Sequence, residues 1–204
     1  MSSNRHVRLR PHPMGAAVLV TLLAASAATH AQVLFDFEST PIGTPLPLDI
    51  TQSGVTAHLS ATGSGYSIQD PLYTILVLPA GFSGHALSPS SVFLSDLLVS
   101  FDAALGGFSI LVAPQVLACD TTATLRVTGY LGTTFVATAT STATTDPPYM
   151  WPSSTLALSS LQPFDHLVVH YDSAPAAGCD YGVIFVADAM TATLADPVFA
   201  NGFE

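Results

Sequence analysis

An all-β domain, a two-layer antiparallel β-sandwich of jelly-roll type, is the fold this sequence predicts, and three observations predict it. Short runs rich in Val, Ile, Leu, Phe and Thr, bounded by Gly, Pro, Asp and Ser, recur throughout residues 32–195. Over the same stretch no apolar periodicity of helical type is sustained for the length of a helix. No internal repeat is visible either, which turns the pattern away from a propeller and toward a sandwich.

The first segment stands apart from this pattern. Residues 1–31 read as a cleaved secretory signal: Arg5, Arg8 and Arg10 form a positive start, an apolar Ala/Leu/Val run follows over 14–28, and small residues Thr29 and Ala31 precede Gln32. The apolar run is too short to span a bilayer, so no transmembrane anchor is expected after cleavage. Separated rather than paired arginines point to export of an unfolded chain. Residues 32–195 then form one sandwich domain, and 196–204 a terminal tail.

Charge narrows the function classes. Outside the signal, Arg126 is the only strong cation against fourteen acids, a formal charge of −13. Nucleic acid and anionic lipid both demand clustered cations, and neither is an expected partner. With so few charges, the wet surface must be built from Thr, Ser and Gly, which suits exposed strands. Cys119 and Cys179, an even pair in an exported chain, are expected to form a disulfide.

The candidate strands, in order, are 33–38, 55–60, 73–78, 97–102, 108–113, 123–130, 133–140, 155–158, 166–171, 183–187 and 190–194. The clearest hairpin spans 123–140. Ala123, Leu125 and Val127 alternate with Thr124, Arg126 and Thr128, and Phe135 and Ala137 with Thr134 and Thr138, around a turn expected at 129–132. Over 165–172 the alternation places Leu167, Val169 and Tyr171 inward and His166, Val168, His170 and Asp172 outward. The loop 138–154 holds Pro147, Pro148 and Pro152 and the chain's single tryptophan, Trp151.

Phe35-Asp36-Phe37-Glu38, Pro41-Ile42-Gly43-Thr44-Pro45-Leu46 and Gly54-Val55-Thr56 resemble the opening of many secreted proteobacterial β-sandwich proteins. Val127-Thr128-Gly129-Tyr130, the run 163–169 and Val186-Ala187-Asp188-Ala189-Met190 look like the rest of that pattern. The resemblance implies a galactose-binding-like jelly roll and an address in the periplasm, outside the cell or on the outer surface of a Gram-negative bacterium. Ala189 stands where that group commonly has a second Asp or an Asn. The end, Phe199-Ala200-Asn201-Gly202-Phe203-Glu204, is similar to a Phe-x-x-Gly-Phe-Glu tail on unrelated exported proteins of gammaproteobacteria, which implies an address or processing tag; the other reading is a loose terminus.

Catalytic constellations are not found. The stretch Gly81-Phe82-Ser83-Gly84-His85 has its second glycine one place too early for a nucleophile elbow, and no helix follows. A glycosidase needs paired carboxylates; only Glu38 and Glu204 are glutamates, which leaves Asp residues paired across strands as the remaining route. His166 and His170, four residues apart on a strand, are separated by about 13 Å and do not share an ion. No enzyme is expected. No cofactor is expected either, beyond a structural calcium ion for which Asp36, Glu38 and Asp188 on the first and last strands are the candidate ligands. For ligand recognition, Tyr149 and Trp151 suit stacking on a sugar ring, with Asp146 as hydrogen-bond acceptor. The alternative is that Trp151 folds back to cap the sandwich end. The expected function is a non-catalytic binding module for carbohydrate or another neutral surface ligand. A structural or adhesive envelope protein, with a cell-surface protein as partner, is the alternative.

Overall fold

Two strands of 18 residues organise the molecule, a computed structural model that describes residues 31–63, 65–90, 94–116, 123–145, 151–173 and 184–196. Within these residues the strands are β1 (Gln32–Phe35), β2 (Leu48–Gln52), β3 (Val55–Ala61), β4 (Tyr66–Gln69), β5 (Ala86–Pro89), β6 (Leu97–Pro114), β7 (Thr124–Leu131), β8 (Thr134–Thr142), β9 (Ser154–Tyr171) and β10 (Phe185–Leu194), with one short helix, α1 (Pro71–Thr74). The long strands are β6 and β9. Each joins two of the candidate strands into one, because the chain bends there without leaving the ladder. Their pairing slips between Ser100 and Leu105 and again before Gly107, where Gly106, Gly107 and Pro163 let both strands turn together.

That bend creates the two layers. The first half of β6 and the second half of β9 lie in one layer, ordered β2-β3-β6-β9-β7-β8. Their other halves lie in the second, ordered β4-β5-β10-β6-β9, with β1 added along β10; every pairing is antiparallel. Alternating side chains from both layers fill the space between. Phe35 of the second layer meets Phe101 of the first with ring centres 6.0 Å apart, and Phe185 meets Tyr171 at 6.5 Å and Tyr66 at 5.4 Å. Tyr66 is buried, but its hydroxyl donates to the Ser95 carbonyl at 3.0 Å; burial first, and the nearby Asp96 charge second, push its pKa well above the usual phenol value.

Three local expectations are corrected. The run 73–78 is not a strand: Asp70 caps the chain by accepting from the Leu72 amide at 2.8 Å, Pro71 occupies the first helical turn, and α1 forms instead. The hairpin turn sits at Gly132, with φ +57°, rather than across 129–132. Gly129 lies inside β7, where a side chain would strike Leu158 and Phe164. Phe135 is not core. A bulge between Gly129 and Tyr130 offsets β8, so Phe135 is exposed while Ala137 and Ala139 pack inward.

A satellite core covers the outer side of the second layer, where Ile75 and Phe82 pack on Ala86, Ala113 and Val186. Cys119 and Cys179 lie outside the described residues. The chain segments that carry them leave from neighbouring points: Gln115 N–H donates to Ile184 O, and Ser173 N–H to Thr124 O. The signal and tail residues also lie outside, except Ala31 and Asp196. Among the described residues no helix is long and apolar enough to cross a membrane.

Candidate sheet-face binding site

The first layer turns one side to the core and the other to solvent, and register decides which side chains meet on the solvent side. Pairing aligns Asp49, His58, Ser100, His166, Tyr130 and Phe135 in one row across six strands. The neighbouring row is Ser60, Leu98, Val168, Thr128 and Thr138. A shallow groove of about 360 Å³ opens on this face, lined by Ser60, Leu98, Ser100, His166 and Val168 with the backbone of Val99 and Leu167.

His166 lines the groove and is the inner member of a stack of rings that extends away from it. Tyr130 lies parallel to His166 (13° between planes, centres 5.3 Å apart), and Phe135 meets Tyr130 edge-on at 6.3 Å. Because Tyr130 covers the β7 side of the imidazole, its other side faces Ser100 and the groove. Asp165 accepts from His166 Nδ1 at 2.6 Å, fixing the ring, and also accepts from the Gly132 amide. The floor is apolar at Leu98 and Val168, with hydroxyls at Ser60 and Ser100.

Several charged and polar groups on this face are already hydrogen-bonded. Asp172 grips Arg126 through Nε at 2.9 Å and Nη2 at 3.0 Å. The guanidinium hydrogen bonds hold the Asp172 carboxyl below the usual range against a small burial effect. His170 Nδ1 donates to Asp96 at 2.6 Å, and His58 Nδ1 to Asp49 at 2.8 Å. His166 and His170 thus lie outward as expected and serve different carboxylates rather than a common ion.

The three acids considered as calcium ligands share one corner of the sandwich, although Asp36 and Glu38 follow β1 rather than lie on it. Asp188 is 1% exposed at the β10 bulge, accepting from Ser83 N–H at 3.0 Å and Ala189 N–H at 2.6 Å. Glu38 accepts from His85 N–H at 3.2 Å, and Asp36 from Glu38 N–H at 3.3 Å. Burial, with the charges of Glu38 and Asp36 adding, raises the Asp188 pKa to about 6, although both amides oppose the rise. These carboxylates act as clamps for backbone amides, and Gly84 leaves no room beside Glu38 for a Cβ. Among the described residues no group of three His, Cys, Asp or Glu side chains is arranged to hold a metal ion.

At the end loop, Asp146 and Tyr149 lie outside the described residues. Trp151 is half-buried. Its indole N–H donates to the Pro114 carbonyl at 2.7 Å, and its ring packs on the satellite core. This is the folded-back alternative, and it leaves that ring little freedom to stack on a ligand. A further concavity of about 310 Å³ lies where β6 and β9 bend, lined by Gly106, Gly107, Leu161, Pro163 and Leu194 among others, with no aromatic ring.

Sequence alternation places His166 outward on its strand, whereas Tyr130 falls within the turn expected at 129–132 and Ser100 is not singled out. Alternation contains nothing that makes the three neighbours.

No protein-family model matches the chain, and no curated protein matches it. Among solved structures it is similar to the K1 and K2 adhesin domains of Lys-gingipain from Porphyromonas gingivalis. The K1 domain is 14% identical, with 81% of this chain and 99% of that one covered and a TM-score of 0.46. The K2 domain is also 14% identical, with 80% and 100% covered and a TM-score of 0.47. A family 29 carbohydrate-binding module is 10% identical over 85% of this chain and 97% of its own, with a TM-score of 0.36. Likenesses with TM-scores below 0.5 bear on neither ligand nor activity.

Proposed function

We propose that the chain is a non-catalytic binding module, working outside the cell, that holds a neutral carbohydrate on the outward face of its first layer. The observation that carries this is the imidazole that lines the groove, with one side backed by Tyr130 and the other open, above a floor that mixes apolar carbons and hydroxyls. A pyranose has the same mixture, with an apolar ring side to lie against the imidazole and hydroxyls to meet Ser60 and Ser100. An anionic ligand would need a free cation, and the guanidinium of Arg126 is already bound to Asp172. Trp151 is less available for stacking than His166, because it is engaged with Pro114 and the satellite core.

The test is a screen of neutral oligosaccharides against the exported protein, followed by titration calorimetry on any hit. Shallow stacking of one ring predicts a dissociation constant roughly between micromolar and millimolar. His166→Ala and Tyr130→Ala should each weaken binding about tenfold or more, while Trp151→Ala leaves it unchanged. Binding that survives both ring removals, or that disappears with Trp151→Ala, would return the site to the end loop.

A further inference from the structure

The fourteen residues 71–84 contain no charged side chain, and the segment faces two ways. Ile75, Leu78 and Phe82 turn inward and seal the outer side of the second layer. Leu72, Tyr73, Leu76 and Val77 turn outward, with Tyr73 83% and Leu76 80% exposed. Leu76 is held there by a left-handed backbone, φ +61°, a conformation in which a leucine is strained. Ile42, also exposed, belongs to the same end of the molecule, because the next amide, Gly43 N–H, donates to Ile68 at the end of β4 that leads into α1. Exposed apolar side chains are ordinary when scattered; a cluster on a projecting, charge-free segment marks an interaction surface.

Size and charge choose the occupant. A stable interface with a second copy takes roughly 800 Å² and 20–30 residues on each side, far more than these few side chains supply. A lipid surface sets no such minimum, since a few leucines can enter the acyl boundary with a tyrosine at headgroup level. The chain beyond its first 31 residues carries fourteen acids against Arg126, so an anionic surface would repel it. We propose that Leu72, Tyr73, Leu76 and Val77 form a shallow insertion loop for an electrically neutral lipid surface, independent of the groove on the opposite layer.

Flotation of the exported protein with phosphatidylcholine vesicles tests this. The wild type should float with the vesicles, and the amount bound should not fall in high salt. Combining Leu72→Ser, Tyr73→Ser and Leu76→Ser should lower the bound fraction about tenfold or more without moving the thermal midpoint, since all three side chains are solvent-facing. Mixing in phosphatidylglycerol should weaken binding. Absence of flotation, or equal flotation of wild type and variant, would overturn the proposal. So would self-association, seen by analytical ultracentrifugation, that the same three substitutions abolish.

Discussion

Truncating Trp151 separates the two places a ligand could sit. Its ring is half-buried against Ile75, Phe82, Ala86, Ala113 and Val186, and its N–H is bonded to the Pro114 carbonyl. A fully buried aromatic cut to alanine costs about 3–5 kcal/mol, so the half-buried ring contributes about 2 kcal/mol. The hydrogen bond adds about 1 kcal/mol, because Pro114 O would be left without its donor. Trp151→Ala should therefore cost about 3 kcal/mol, a fall in thermal midpoint of roughly 6–12 °C for a domain of this size. Trp151→Phe, which keeps most of the packing and loses the N–H, should lose about a third as much. Calorimetric melting of both variants, with oligosaccharide titration on the same samples, reads stability and binding together. A midpoint lowered by less than about 2 °C, accompanied by loss of binding, would refute the assignment of Trp151 as a plug and restore it as a stacking residue.

Two other predictions concern the fold. The Asp188 pKa, raised to about 6 in the folded state, means that the neutral form is favoured by folding, so its contribution to stability is complete below the unfolded value near 4 and is lost as pH rises through 6. The full shift corresponds to about 3 kcal/mol. Chemical denaturation of wild type and Asp188→Asn from pH 4 to pH 8 should show the wild type losing about that much relative to the variant, whereas a pH-independent difference would contradict the assignment. Gly129→Ala would place a Cβ 2.8 Å from Leu158 Cδ2 and 3.4 Å from the Phe164 ring. The leucine methyl can yield only partly, so a cost of about 1–2 kcal/mol is expected in urea unfolding, and a neutral substitution would mean that the sheet contact there is looser than described.

Alternation within a strand is a local property, and the sequence by itself determined what depends on it. Leu125 and Val127 face the core, as do Leu167, Val169 and Tyr171, because period-two side chains must divide between a dry and a wet side. The all-β class was legible for a similar reason, since composition acts without knowledge of neighbours. The strand expected at 73–78 failed because a local capping signal, Asp70-Pro71, outweighed β-prone residues behind it. Phe135 was placed inward because a single-residue bulge reverses every side chain beyond it and leaves no mark in the alternation. Tertiary structure alone decided the candidate site. Tyr130 and His166 are 36 positions apart and touch only because β7 pairs with β9 in that one register, as Ser100 comes beside them through β6. Register is a many-body choice made by the packed core, in which sliding one strand by one residue would bury His166 and expose Leu167; no single strand's sequence contains that comparison.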